Sequence, residues 1–122
     1  TCPDDFENLM DFALEKKPYI PWPITSVLAE KAVENQALNK KMFADMHIAR
    51  GFEFEDAIQK IRSLTLIFWG AQDRVISVKN ATLFEQLIPG SKKIVFEGVG
   101  HAPMIEIPEK SADLYLEFLS FM

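Results

Sequence analysis

Two residues in this chain carry groups that could pass a proton between them, and the sequence sets them in matching surroundings. Asp73 follows the apolar run Leu64-Thr65-Leu66-Ile67-Phe68-Trp69 and the dipeptide Gly70-Ala71. His101 follows Lys93-Ile94-Val95-Phe96 and the loop Gly98-Val99-Gly100. Each run reads as a strand, so both residues fall just past a strand's carboxyl end, where open α/β sheets collect ligands and catalytic groups. An imidazole held there can take up and return a proton near neutral pH. Each residue alone has a plainer reading. Aspartate after glycine at a strand end is a common turn former, and Gly-His is a common surface turn. The chemical reading rests on the pair.

Other reactive side chains offer less. Cys2 cannot form an internal disulfide, being the one cysteine, and reads as a free terminal thiol. His47 reads as a partly exposed helix residue. No Cys/His cluster has the spacing of metal ligands, and neither a metal nor any other cofactor is expected. With 122 residues the chain suits one domain with a modest core, and 48% hydrophobic with 25% charged residues is a globular profile. A net charge of −5, with the acidic residues dispersed, argues against nucleic acid as a partner. No apolar run approaches the length of a membrane span, and no signal-peptide pattern is visible, which leaves the compartment open.

The elements that must position the pair fall into two parts. Residues 1–51 read as helical. Phe6, Leu9, Met10, Ala13 and Leu14 recur at spacings of three and four, and Pro3 suits a first turn. Pro18-Tyr19-Ile20-Pro21-Trp22-Pro23 interrupts any helix, because three prolines each remove a donor. A second helix is expected from Thr25 or Ser26. A third is expected after Asn35, carrying Leu38, Met42, Phe43 and Met46 on one stripe and ending at Gly51. These Met and Phe stripes read first as packing, and alternatively as the wall of an acyl pocket.

Residues 52–122 read as α/β. A short helix over Glu55 to Ile61 leads into the strand Leu64–Trp69, which has apolar residues on odd and even positions and should be buried on both faces. Ser77 can cap a helix running to about Ile88, and Pro89-Gly90-Ser91 ends it. The strand Lys93–Phe96, the His101 loop and a last helix from Pro108 follow, with Ala112, Leu114, Tyr115, Phe118 and Leu119 placed to cover the sheet. Strand, helix, strand, helix predicts a parallel pair. Two parallel strands make a poor sheet by themselves, and one as apolar as Leu64–Trp69 should not lie at an open edge. The expectation is a C-terminal piece of a longer protein, prone to self-association when isolated.

The segments Phe68-Trp69-Gly70-Ala71-Gln72-Asp73-Arg74-Val75-Ile76 and Gly100-His101-Ala102-Pro103-Met104-Ile105-Glu106-Ile107-Pro108 closely resemble the C-terminal part of the α/β-hydrolase superfamily. The esterase, lipase and monoacylglycerol lipase branch is the most similar. The one departure is Leu64, where the family often has proline. The resemblance implies an α/β fold represented by its last two parallel strands, with residues 1–51 as a helical cap and 52–122 as core. It also implies an ester or lipid substrate, with Asp73 as triad acid and His101 as triad base. The order agrees with a fold that sets serine first, then acid, then histidine. In such a site the acid accepts a hydrogen bond from one imidazole nitrogen, and the other nitrogen takes the serine proton. Gly98 and Gly100 would let the loop turn tightly to present His101. Glu106 has no catalytic assignment and is expected to bond backbone donors.

Missing features bound the reading. The chain contains no G-x-S-x-G elbow; Gly90-Ser91 lacks the second glycine and follows the acid. No glycine-rich stretch offers oxyanion donors. The nucleophile is therefore expected outside these residues, and the isolated chain is expected to be inactive. An epoxide hydrolase or haloalkane dehalogenase with an aspartate nucleophile would use the same Asp-His pair. A non-catalytic ligand-binding relative is the remaining alternative.

Overall fold

The computed structural model describes residues 3–48 and 53–121, and the side chains of 5–45 and 54–121. The expected terminal thiol at Cys2, the side chain of His47 and the cap at Gly51 lie outside the described residues and side chains.

Three helices come first: α1 over Pro3–Ala13, α2 over Trp22–Glu34 and α3 over Gln36–Ile48. α1 packs on α2 and α2 on α3. The expected start of α2 at Thr25 or Ser26 is corrected to Trp22. Pro23 lies in the first turn, where a missing N–H costs nothing, and Pro21 accepts from Ile24 and Thr25 at 2.9 and 3.1 Å. The proline run thus ends inside a helix rather than before one. The α1 stripe is only partly used: Leu14 is buried, whereas Leu9 is exposed.

The second part runs α4 (Glu53–Gln59), β1 (Leu66–Gly70), α5 (Lys79–Leu87), β2 (Lys92–Phe96), α6 (Pro103–Glu106) and α7 (Pro108–Ser120). β1 and β2 pair in parallel, from Leu66 opposite Lys92 to Gly70 opposite Phe96. Before α5, the Ser77 hydroxyl accepts from the Lys79 N–H at 3.3 Å and the Ser77 carbonyl from Asn80 at 3.0 Å. The expected cap at Ser77 is corrected: the N-cap residue is Val78, which makes no side-chain capping bond, and Ser77 supports the turn just before it. α5 packs on both strands, burying Ala81 completely. Aromatic edges fill the sheet face, with Phe68 and Phe96 at 5.2 Å in a T-shaped arrangement.

Two packing expectations differ from what is found. β1 is not enclosed on both faces: Ile67 and Gly70 are buried, but Leu66, Phe68 and Trp69 are only half-buried. Among the described residues β2 is its sole paired neighbour. α7 does not close over the sheet either. An open groove of about 590 Å³ separates Leu64, Leu66 and Phe68 from Tyr115, Phe118 and Leu119. The physical reason is a shortage of layers, since two strands give α7 too narrow a surface to lie on. A compact monomer of this mass exposes roughly 6,700 Å²; this chain exposes 9026 Å².

Candidate active site

The carboxyl ends of β1 and β2 lead into two loops that are fastened to each other. Ala71 donates to the Phe96 carbonyl at 2.9 Å and Gln72 to the Val99 carbonyl at 3.0 Å. The Gln72 side-chain oxygen accepts from Gly98 at 2.6 Å and from Val99 at 3.1 Å. Gln72 thus carries part of the loop geometry, a role that was not anticipated. Its position next to Asp73 was the only signal available.

Gly98 supports the expected tight turn, with φ +68°. Gly100 is needed for a different reason. A Cβ there would meet the Ala13 carbonyl oxygen at 2.5 Å and the Glu15 nitrogen at 2.8 Å. Its glycine answers crowding rather than a left-handed backbone.

The structure brings Asp73 and His101 together. Asp73 Oδ2 lies 3.0 Å from His101 Nδ1. The other carboxylate oxygen accepts from the Val75 and Ile76 N–H groups at 2.8 and 2.9 Å. The Asp73 side chain is 4% exposed and that of His101 40%. Burial alone would push the Asp73 pKa up. The hydrogen bonds from Ile76, His101 and Val75, with the charge of His101, outweigh it and hold the carboxyl below its ordinary range. A carboxylate so held is ionised near neutral pH and acts as an acceptor only, which assigns the Nδ1 proton to the imidazole. No described residue hydrogen-bonds Nε2. A cleft of about 120 Å³ lies beside the pair, lined by Phe68, Trp69, Asp73, Ile76 and His101.

Glu106 bonds backbone donors, as expected of it, and more of them than its neighbours supply. It is 9% exposed, and Gly100, Ala102, Glu15 and Lys16 all donate to it. His101 itself donates its backbone N–H to the Ala13 carbonyl at 2.8 Å. Arg74, beside the acid, pairs with Glu15 and donates to the Asp11 carbonyl. The exit of α1 therefore touches both loops, which sequence reasoning missed because the bonds are largely to main chain.

No described hydroxyl meets the imidazole. Ser77 supports the turn before α5, Ser111 donates to the Pro103 carbonyl at 3.0 Å, and Ser91 lies at the opposite end of β2.

Comparison with known proteins agrees with this arrangement of strands and loops. The profile of the alpha/beta hydrolase fold family matches residues 33–108. Lipase 1 of Psychrobacter immobilis is 31% identical over 119 residues, 98% of this chain and 38% of that protein. Monoacylglycerol lipase ABHD6 of Rattus norvegicus is 25% identical over 98% of this chain and 36% of its own length. The crystal structure of a membrane phospholipase A, a bacterial virulence factor, superposes with a TM-score of 0.89 and 35% identity, covering 97% of this chain and 38% of that one. The chain thus spans little more than a third of the relatives it matches. With the parallel pair and its two fastened loops inside the matched segment, the chain belongs to the α/β-hydrolase fold family, among its lipase- and esterase-like members.

Proposed function

We propose that this chain supplies the acid and base of an ester-hydrolysing triad, with Asp73 as acid and His101 as base, and that the nucleophile comes from residues outside these 122. The observation that carries the reading is the 3.0 Å contact between Asp73 Oδ2 and His101 Nδ1. That contact fixes the tautomer, with the proton on Nδ1 and a lone pair on Nε2. As a serine oxygen attacks the ester carbonyl, Nε2 takes the serine proton. It then returns that proton to the departing alkoxide, leaving an acyl-enzyme. A water repeats the two transfers and releases the acid. Asp73 stays ionised throughout and stabilises the transient imidazolium.

Residues 1–51 serve in this reading as the cap over the site, and 52–122 as the core portion. Its substrate is an ester with an apolar acyl part, since the lipase relatives and an apolar hollow of about 390 Å³ between α1, α2 and α3 favour such a ligand. The isolated chain has neither nucleophile nor oxyanion donors in this scheme and is inactive.

A p-nitrophenyl ester assay tests the proposal on three samples: this chain, the full-length protein, and that protein carrying His101→Ala. The expected result is turnover by the second alone. Turnover by the isolated chain would mean that a nucleophile lies within it. Full activity in the variant would remove His101 from the mechanism.

A further inference from the structure

We infer that Glu106 is a positioning residue for His101: its buried carboxylate staples the histidine loop to the exit of α1, and so holds the imidazole against Asp73. The inference rests on the acid–base reading of that pair.

The His101 side chain is 40% exposed, and Asp73 is its one hydrogen-bond partner among the described residues. Its placement against Asp73 therefore depends on how the backbone of its loop is held. The three successive N–H groups at 100, 101 and 102 are all committed. Gly100 donates to both Glu106 oxygens at 2.9 and 3.0 Å, and Ala102 to Oε1 at 3.4 Å. Between them His101 donates to the Ala13 carbonyl at 2.8 Å. Glu106 Oε2 in turn accepts from Glu15 at 2.9 Å and Lys16 at 2.8 Å, residues some ninety positions away.

A purely local role does not account for this set. Reaching back to Ala102 would suffice to cap α6, as side chains near helix starts often do. The bonds to Glu15 and Lys16 lie outside that helix and fix the opposite wall of the loop. Every partner is a donor, so only an acceptor-only group satisfies them all. A glutamine amide would turn N–H groups onto N–H groups in either orientation. An aspartate, one methylene shorter, could not reach both walls.

The experiment uses proton NMR and kinetics on the full-length protein. The Nδ1 proton of His101, bonded to a carboxylate, is expected as a low-field resonance that disappears in Asp73→Asn, which assigns it. Glu106→Gln should broaden or lose that resonance and lower kcat about 10- to 100-fold, with KM changed less than about threefold. Ser111→Ala is the control, removing a buried hydrogen bond to Pro103 that does not touch residues 100–102. It should keep both the resonance and kcat. Should Glu106→Gln fail to fold, Glu106→Asp carries the same test. A folded Glu106 variant with wild-type resonance and kcat overturns the inference alone. No low-field resonance in the wild type, with kcat intact in Asp73→Asn, would overturn the acid–base reading beneath it.

Discussion

Gly70 and Gly100 approach so closely that a Cβ on Gly70 would lie 1.9 Å from the Gly100 carbonyl oxygen and 2.3 Å from that of Val99. The end of β1 and the loop that carries His101 are thus in direct main-chain contact. Gly70→Ala should destabilise the fold by about 3 kcal/mol or more, because the clash is with backbone. Gly98→Ala should cost only roughly 1–2 kcal/mol, the strain of a side chain at φ +68°, since the added atom meets only the tip of Lys16. Denaturant titration of the two variants checks the order. A smaller loss for Gly70→Ala would contradict the close approach.

Acid should loosen the site only after ordinary surface carboxylates have begun to take up protons. The Asp73 pKa in the folded chain lies below the aspartate value, because hydrogen bonds from Ile76, His101 and Val75 outweigh the opposing effect of burial. A lowered folded pKa contributes stability that is complete above about pH 4 and is lost as pH falls through the folded value. Asp73→Asn should lack that part of the acid dependence. Unfolding midpoints measured in small pH steps below pH ~4 would show it as a shallower slope, and parallel slopes would count against the assignment.

The two strands, the meeting of Asp73 with His101 and the acceptor role of Glu106 were legible in the sequence, because each had a local signature. Asp73 and His101 stand at the ends of recognisable apolar runs, and Glu106 lies six residues beyond Gly100. The partners Ala13, Glu15 and Lys16 had no such mark. They offer main-chain groups to the histidine loop, and any residue type has those. Gln72 was hidden for a related reason, since its side-chain oxygen replaces a missing backbone acceptor for Gly98 and Val99. The expected start of α2 fell too late because the whole run from Pro18 to Pro23 reads as a helix stop, although Pro3 and Pro108 read as helix starts. Pro23, in a first turn, is a helix start as well.

Asp73→Asn also tests the tautomer. The Oδ1 position can still accept from Val75 and Ile76 if the amide nitrogen faces the imidazole. That nitrogen donates, so Nδ1 must present a lone pair and the ring proton moves to Nε2. A base protonated on its working nitrogen cannot take a proton from serine. In the full-length protein kcat should fall on the order of 10⁴-fold while circular dichroism stays unchanged. A loss of less than tenfold would show that the carboxylate does not hold the tautomer.

The isolated chain should self-associate, and the outer edge of β1 is where this is expected to begin. The Thr65 carbonyl and the Ala71 N–H bond to β2. Alternation along a parallel strand then turns the backbone groups of Leu66 and Phe68 to the other edge. Beside that edge runs the apolar groove toward Tyr115 and Phe118. An unpaired strand edge next to apolar surface is a template for another chain, and the excess of exposed area over a compact monomer gives the association its driving force. Sedimentation of the chain at rising concentration should show dimers or larger species. Phe68→Lys, which puts a charge beside the exposed edge, should shift the distribution toward monomer. Hydrogen exchange should find the Leu66 and Phe68 amides protected only in the associated form. A monomer at high concentration with those amides already protected would mean that the edge is covered within the chain itself.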